Sequence, residues 1–190
     1  MEEQVKETKK VTKTKKTTKK ATPKKAINIK NELKKKSKEI EVEVMNITDG
    51  AVYYRDKEGN ELDIEYTGDT DVVSLKFLES IKTRRDMLEK LYVSICDVYD
   101  DDYTVEDIIS YLGLTDLYSK IQLNLESIDD TLENSSIEEF EELLKQSNNV
   151  MIARLCERAA RLAKENRFDS NYKRMMLEEI TGNPYIFKAY

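Results

Sequence analysis

The densest group of side chains able to do chemistry is acidic: Asp97, Asp100, Asp101, Asp102, Glu106 and Asp107. Carboxylates at this density suit a hard cation such as Mg²⁺ or Ca²⁺. The calcium-loop pattern fails, however. Counted from Asp100, the sixth position is Val105, where the sharp turn of such a loop needs glycine. The same residues suit a solvated loop whose negative charge favours the N-terminus of a following helix, and this is the expected role. The chain has no histidine, which removes the commonest general base and every His-based triad. It also lacks a GxxxxGKS/T phosphate loop, GxGxxG, HExxH and GxSxG. Cys96 and Cys156 lie far apart in apolar runs and form no CxxC pair. They read as small buried hydrophobes in a reduced, intracellular setting. The expectation is a protein that is not an enzyme and holds no cofactor or metal.

The second concentration of chemistry is cationic. The stretch KKVTKTKKTTKKATPKK (9–25) holds nine lysines: Lys9, Lys10, Lys13, Lys15, Lys16, Lys19, Lys20, Lys24 and Lys25. Residues 1–38 carry 15 Lys against 4 Glu, or +11; the other 17 Lys and Arg face 34 Asp and Glu, or −17, giving the net −6. Such asymmetry marks an appended interaction segment. Lysines at this density neutralise phosphates, so the segment is the expected contact for DNA, non-specific because phosphates carry no sequence. A solvated leash and contact with the chain's own acidic body are the competing readings.

Other motifs are weaker. Residues 104–122 have the spacing of a helix-turn-helix around Gly113, but the second helix offers DNA only Lys120. Arg154, Arg158, Arg161, Arg167 and Arg174 are interleaved with glutamates and read as a charged helix face. Tyr53, Tyr54 and Tyr66 could stack bases, although packing is the ordinary role of such residues. The closing Tyr185–Tyr190 stretch is expected to dock on its own domain, with insertion into a partner as the competing reading.

Several elements must position these groups. Residues 1–38 lack hydrophobic periodicity and read as disordered, with a frayed helix at 27–38. Ile40, Val42 and Val44 alternate with glutamates, the pattern of a half-buried strand. Residues 51–54 and 62–66 read as two further strands, giving a three-stranded antiparallel meander, and 92–98 as a fourth strand returning to it. Leu75, Leu78 and Ile81 start a helix, and Thr83–Asp86 reads as a cap restarting another. Helices are expected from Thr104 to Gly113, over about 116–123, from Ser136, from Asn149, and from Asp169 or Ser170 to Gly182. The fold class is therefore α+β. A basic tail (1–38) precedes a small subdomain with the meander (39–99) and a helical subdomain (100–190). No apolar run reaches the ~20 residues of a membrane helix, and the N-terminus lacks the apolar core of a secretory signal.

Three stretches also carry a resemblance: VMNITDGAVYYRD, SIEEFEELL and KRMMLEEITGN. Together they resemble a loosely defined family of small proteins of tailed bacteriophages of low-GC hosts, some encoded among virion-structure genes. The likeness spans roughly residues 40–185. It implies a non-enzymatic phage protein located in the virion, and in the host cytoplasm during assembly. The expected partners are other virion proteins met through the acidic body, with packaged DNA or an acidic protein surface met through the tail. It carries over no binding residues. The alternative is an intracellular nucleic-acid-binding regulator using a degenerate helix-turn-helix at residues 104–122 plus the tail; no membrane partner is expected in either case.

Overall fold

The computed structural model describes residues 26–119 and 125–187, which form eight helices and five strands. The fold is α+β. Its first element is a helix, α1 (Ala26–Lys36), where the sequence predicts a frayed helix over 27–38, so the part of 1–38 from Ala26 on is ordered. Leu33 is fully buried and Ile29 packs beside it, an i, i+4 pair hidden in the sequence by flanking lysines. Lys34, Lys35 and Lys36 fall in the last turn, where positive charge favours the helix dipole.

The sheet differs from the expected meander. Strand β1 (Glu41–Asn46) is central, and β2 (Val52–Arg55) and β3 (Glu61–Ile64) do not pair with it. Those two form a separate hairpin, closed by a turn in which Asp56 accepts from the Glu58 and Asn60 amides. The partners of β1 are β4 (Thr70–Ser74) and β5 (Val93–Val98), both antiparallel. β4 escapes a sequence reading because only one of its side chains, Val73, is buried. β5 carries a bulge at Cys96. Ile95 faces Val44, whereas Asp97 faces Glu43, so one extra residue turns Asp97 to the opposite side from a strict alternation.

Helix α2 (Leu75–Arg85) starts at the Ser74 cap and runs past the expected break. The Thr83 hydroxyl donates to the Glu79 carbonyl one turn back, a mid-helix bond and not a cap. The helix stops at Asp86, whose φ of 53° is left-handed. α3 (Val105–Leu112) begins at the Thr104–Asp107 capping box and ends at Gly113, φ 68°. α4 (Thr115–Tyr118) is short. α5 (Leu125–Asn134) is a helix the sequence reading missed, since only Ile128 and Leu132 are buried along it. α6 (Ile137–Gln146), α7 (Asn149–Lys164) and α8 (Asn171–Thr181) start at Ser136, Asn148 and Ser170, each side chain accepting a first-turn amide.

Two apolar clusters fill the interior. One joins the inner face of the sheet to α1, α2 and α3 through Val42, Val44, Phe77, Leu78, Ile81 and Ile108. The other joins α5–α8 through Phe140, Leu155, Ala159, Leu162, Phe168 and Leu177. α3 therefore packs with the sheet, while Ile47 and Leu91, from earlier in the chain, join the helical cluster. Leu117 and Tyr118 touch both clusters.

Asn46, fully buried at the end of β1, joins the hairpin to the sheet. Its amide nitrogen donates to the Gly50 carbonyl (2.7 Å) and the Ile64 carbonyl (3.4 Å). Its side-chain oxygen accepts from the Thr48 amide (2.8 Å) and hydroxyl (2.9 Å). Substituting Asn46→Leu strands these groups, and unmade buried hydrogen bonds cost about 1–3 kcal/mol each. The expected loss is about 2–4 kcal/mol in urea unfolding, and a loss under about 1 kcal/mol would show that the joint is not structural. Leu33→Ala is expected to cost about 2–4 kcal/mol by opening a cavity in the first cluster. An unaffected midpoint would place α1 outside the cooperative unit.

Candidate functional site: the open face of the sheet

Each group singled out by the sequence has a definite place. The nine lysines of 9–25, and Lys120, lie outside the described residues. Asp100 accepts from the Asp102 amide within its turn, and Asp107 completes the α3 cap through the Thr104 amide. Among the described residues, no three His, Cys, Asp or Glu side chains are grouped to hold a metal ion. The acidic run is thus a turn and a cap. The region read as a helix-turn-helix is α3, Gly113 and α4. α4 has four residues, and its Tyr118 points inward, accepting from the Ile95 amide of β5 at 3.0 Å. Burial pushes the Tyr118 phenol up.

Most of the arginine set braces the helices. Arg158 binds Asp129 through two parallel bonds of 2.6 and 2.7 Å, with both side chains largely buried. This bidentate pair ties α7 to α5. Arg167 pairs with Asp129 and Glu133 from the segment after α7. Arg161 reaches Asp49 at 3.0 Å and the Thr67 hydroxyl at 3.2 Å, tying α7 to the turns beside the hairpin. Arg154 lies over the Tyr92 ring at 5.3 Å. Tyr54 is buried and stacks on Phe77, while Tyr53 and Tyr66 are exposed. Near the C-terminus Phe187 packs on Phe168 at 5.9 Å, and Ile186 joins the second cluster. No helix among the described residues is long and apolar enough to cross a membrane.

What remains uncovered is one face of the three-stranded sheet. Its residues follow from the strand registers. Glu41 lies between Ser74 of β4 and Tyr99, whose amide donates to the Glu41 carbonyl at 2.9 Å. Glu43 lies between Val72 of β4 and Asp97 of β5. Further along, Met45 turns toward the helical cluster, so the face opens only at the Glu41 end. Like charges directly opposite on paired strands are destabilising, and Glu43 and Asp97 are such a pair. Neither they nor Glu41 form an ion pair among the described residues.

The strand edges beside this face are closed. The Val72 amide of β4 is taken by Asp71 Oδ1 and the Val98 amide of β5 by Asp97 Oδ1, both at 2.8 Å. With Tyr118 on Ile95, these bonds blunt the edges against further strand pairing. The surface on offer is therefore side chains: three carboxylates with the exposed Val72 and Tyr99 among them. Sequence reasoning saw Glu41 and Glu43 as the polar side of a strand. It could not place Asp97 beside them, because the bulge that does so leaves no local signal.

The Tyr99 phenol reports the field of this face. The Glu43 charge foremost, together with desolvation, a hydrogen bond to Glu43 and the charges of Asp97 and Glu41, holds it above the ordinary tyrosine range. A phenolate forms less readily beside negative charge, so Glu43→Gln should let Tyr99 ionise at lower pH than in the parent protein. The shift should shrink in about 1 M salt, where the screening length is about 3 Å. Following the Tyr99 ring carbon through a pH titration by NMR checks both. An unchanged midpoint would mean that the carboxylates do not act together. No family model, curated protein or solved structure matches the chain.

Proposed function

We propose that this chain is a non-enzymatic docking protein, an accessory structural component of a phage virion. It joins protein partners through its acidic body and a polyanion, packaged DNA above all, through the lysines of residues 9–25. The observation that carries this reading is the segregation of charge. Residues 1–25 hold 10 Lys against 3 Glu, while the body after them presents a sheet face whose carboxylates pair with no cation among the described residues. The virion setting rests on the resemblance of VMNITDGAVYYRD, SIEEFEELL and KRMMLEEITGN to the phage proteins. The reading as a sequence-specific regulator draws no comparable support from the four-residue α4 with its inward Tyr118.

The mechanism at the lysine segment is delocalised electrostatics. Each phosphate neutralised releases condensed counterions, so affinity falls steeply with salt. A segment making ~6–8 such contacts should lose about 10³-fold or more between 50 and 200 mM salt. The test compares the full chain with a variant in which all nine lysines of 9–25 are glutamine. Duplex DNA binding with that slope and no sequence preference, lost in the variant, is the expected result. Equal binding by the variant would overturn the role of the segment. Purified particles should contain the chain at fixed stoichiometry, and its consistent absence from them would overturn the virion assignment.

A further inference from the structure

The reading above leaves open what meets the acidic sheet face in the free protein. We infer that the lysine segment of the same chain lies across that face, over the Glu41–Tyr99 and Glu43–Asp97 rows, and leaves it when a polyanion takes the lysines. This rests on the polyanion reading and adds an intramolecular competitor to it.

Four observations converge. First, the face is complementary in charge and in side-chain form. It carries Glu41, Glu43 and Asp97, which have no ion-pair partner among the described residues, and Tyr99 and Val72 stand exposed between them. Lysine meets such a surface with both parts of its side chain, the ammonium on carboxylate and the methylene stem along ring and methyl groups. Second, part of the body's other negative charge is already engaged by its own cations. Asp129, Glu133, Glu165, Asp49, Glu157, Glu79 and Glu141 all have a cation within 4.0 Å.

Third, chain length allows it. A body of this size is about 40 Å across. The 17 residues from Lys9 to Lys25 span up to ~55–60 Å when extended, so they reach the far side of the sheet from the start of α1. Fourth, a lysine of α1 already makes this kind of contact with the acidic loop that follows β5. Lys36 Nζ lies over the Tyr103 ring at 5.5 Å. Tyr103 foremost, with Asp100 and Asp102, holds the Lys36 ammonium above its ordinary range. That acidic loop draws one lysine of the chain, and the nine of residues 9–25 precede it.

Two states follow. With no polyanion present, the segment neutralises its own face and the protein presents neither charge strongly. DNA withdraws the lysines and uncovers the carboxylates together, so the acidic face becomes free for a basic protein partner only where nucleic acid is at hand. Each event favours the other, because both compete with the same self-contact.

Zero-length carbodiimide crosslinking of the full chain, without DNA and at low salt, tests the contact directly. Links from the lysines of 9–25 should fall on Glu41, Glu43 and Asp97 within single chains, and should vanish on adding duplex DNA or about 1 M salt. Links spread evenly over other exposed carboxylates such as Glu138, Glu142 and Glu179 would overturn the inference. Links confined to crosslinked dimers would overturn it as well, since a second copy would then be the occupant.

The competition has its own readout. The triple variant Glu41→Gln, Glu43→Gln, Asp97→Asn is compared with Glu138→Gln, Glu142→Gln, Glu179→Gln, which alters net charge equally but away from the sheet. If the segment is docked most of the time, freeing it raises apparent DNA affinity by about 3–10-fold over the control variant. Equal affinities of the two variants would overturn the competition. Crosslinks on the sheet face with no DNA binding by any form would uphold the self-contact and overturn the polyanion reading instead.

Discussion

The described structure depends on how the end of β1 is held. Asn46 sits where the central strand, the turn that follows it and the last residue of β3 converge, and its amide satisfies all three. The backbone reinforces the joint: the Asn46 amide donates to the Asp69 carbonyl, and the Gly68 amide donates to the Asn46 carbonyl. A buried amide with every bond made is rigid, and a partly satisfied one is costly, so the site tolerates one arrangement of its neighbours. That arrangement delivers the chain to Thr70 in register with Met45. The position of β4, and the acidic row between β4 and β5, both follow from it.

The helical half is held by different physics. Arg158 and Asp129 are each taken out of water, so their pairing offsets a desolvation cost and adds little net stability. Its contribution is geometric, since a bidentate fork fixes the angle of α7 against α5. Lys173 plays a related part, donating its buried ammonium to the Leu132 carbonyl near the end of α5 and lying over the Phe140 ring. Burial lowers its proton affinity, the opposite of what a surface carboxylate partner would do. These two buried charges are thus each met by a partner, and the carboxylates of the sheet face pair with no cation among the described residues.

Much of this was legible in the sequence where the signal is local. The Thr104–Asp107 and Ser136–Glu139 capping boxes, the Gly113 and Gly182 stops and the alternation of β1 depend on residues a few positions apart. The pairing of strands does not. Nothing local says that β1 skips the adjacent hairpin to pair with β4 and β5, and Asn46 reads as a turn residue until its burial is known. α1 was legible only as a frayed helix, because two apolar residues, Ile29 and Leu33, anchor it among many lysines. The open face was half legible. Glu41 and Glu43 announce themselves, while Asp97 joins them only through an extra residue in β5.

The order of strands has a consequence for how the chain reaches this state. The β2–β3 hairpin closes over a short turn and can form within about 1–10 μs. β1 precedes it and must wait, since Ser74 and Val98 lie well downstream of the residues they meet. Until then both backbone edges of an apolar strand stand open to any other chain. Glutamates at alternate positions are the kind of gatekeeper that keeps such a strand from stacking with its neighbours. The same acidic row that strains the finished sheet protects the unfinished one, during synthesis and refolding alike.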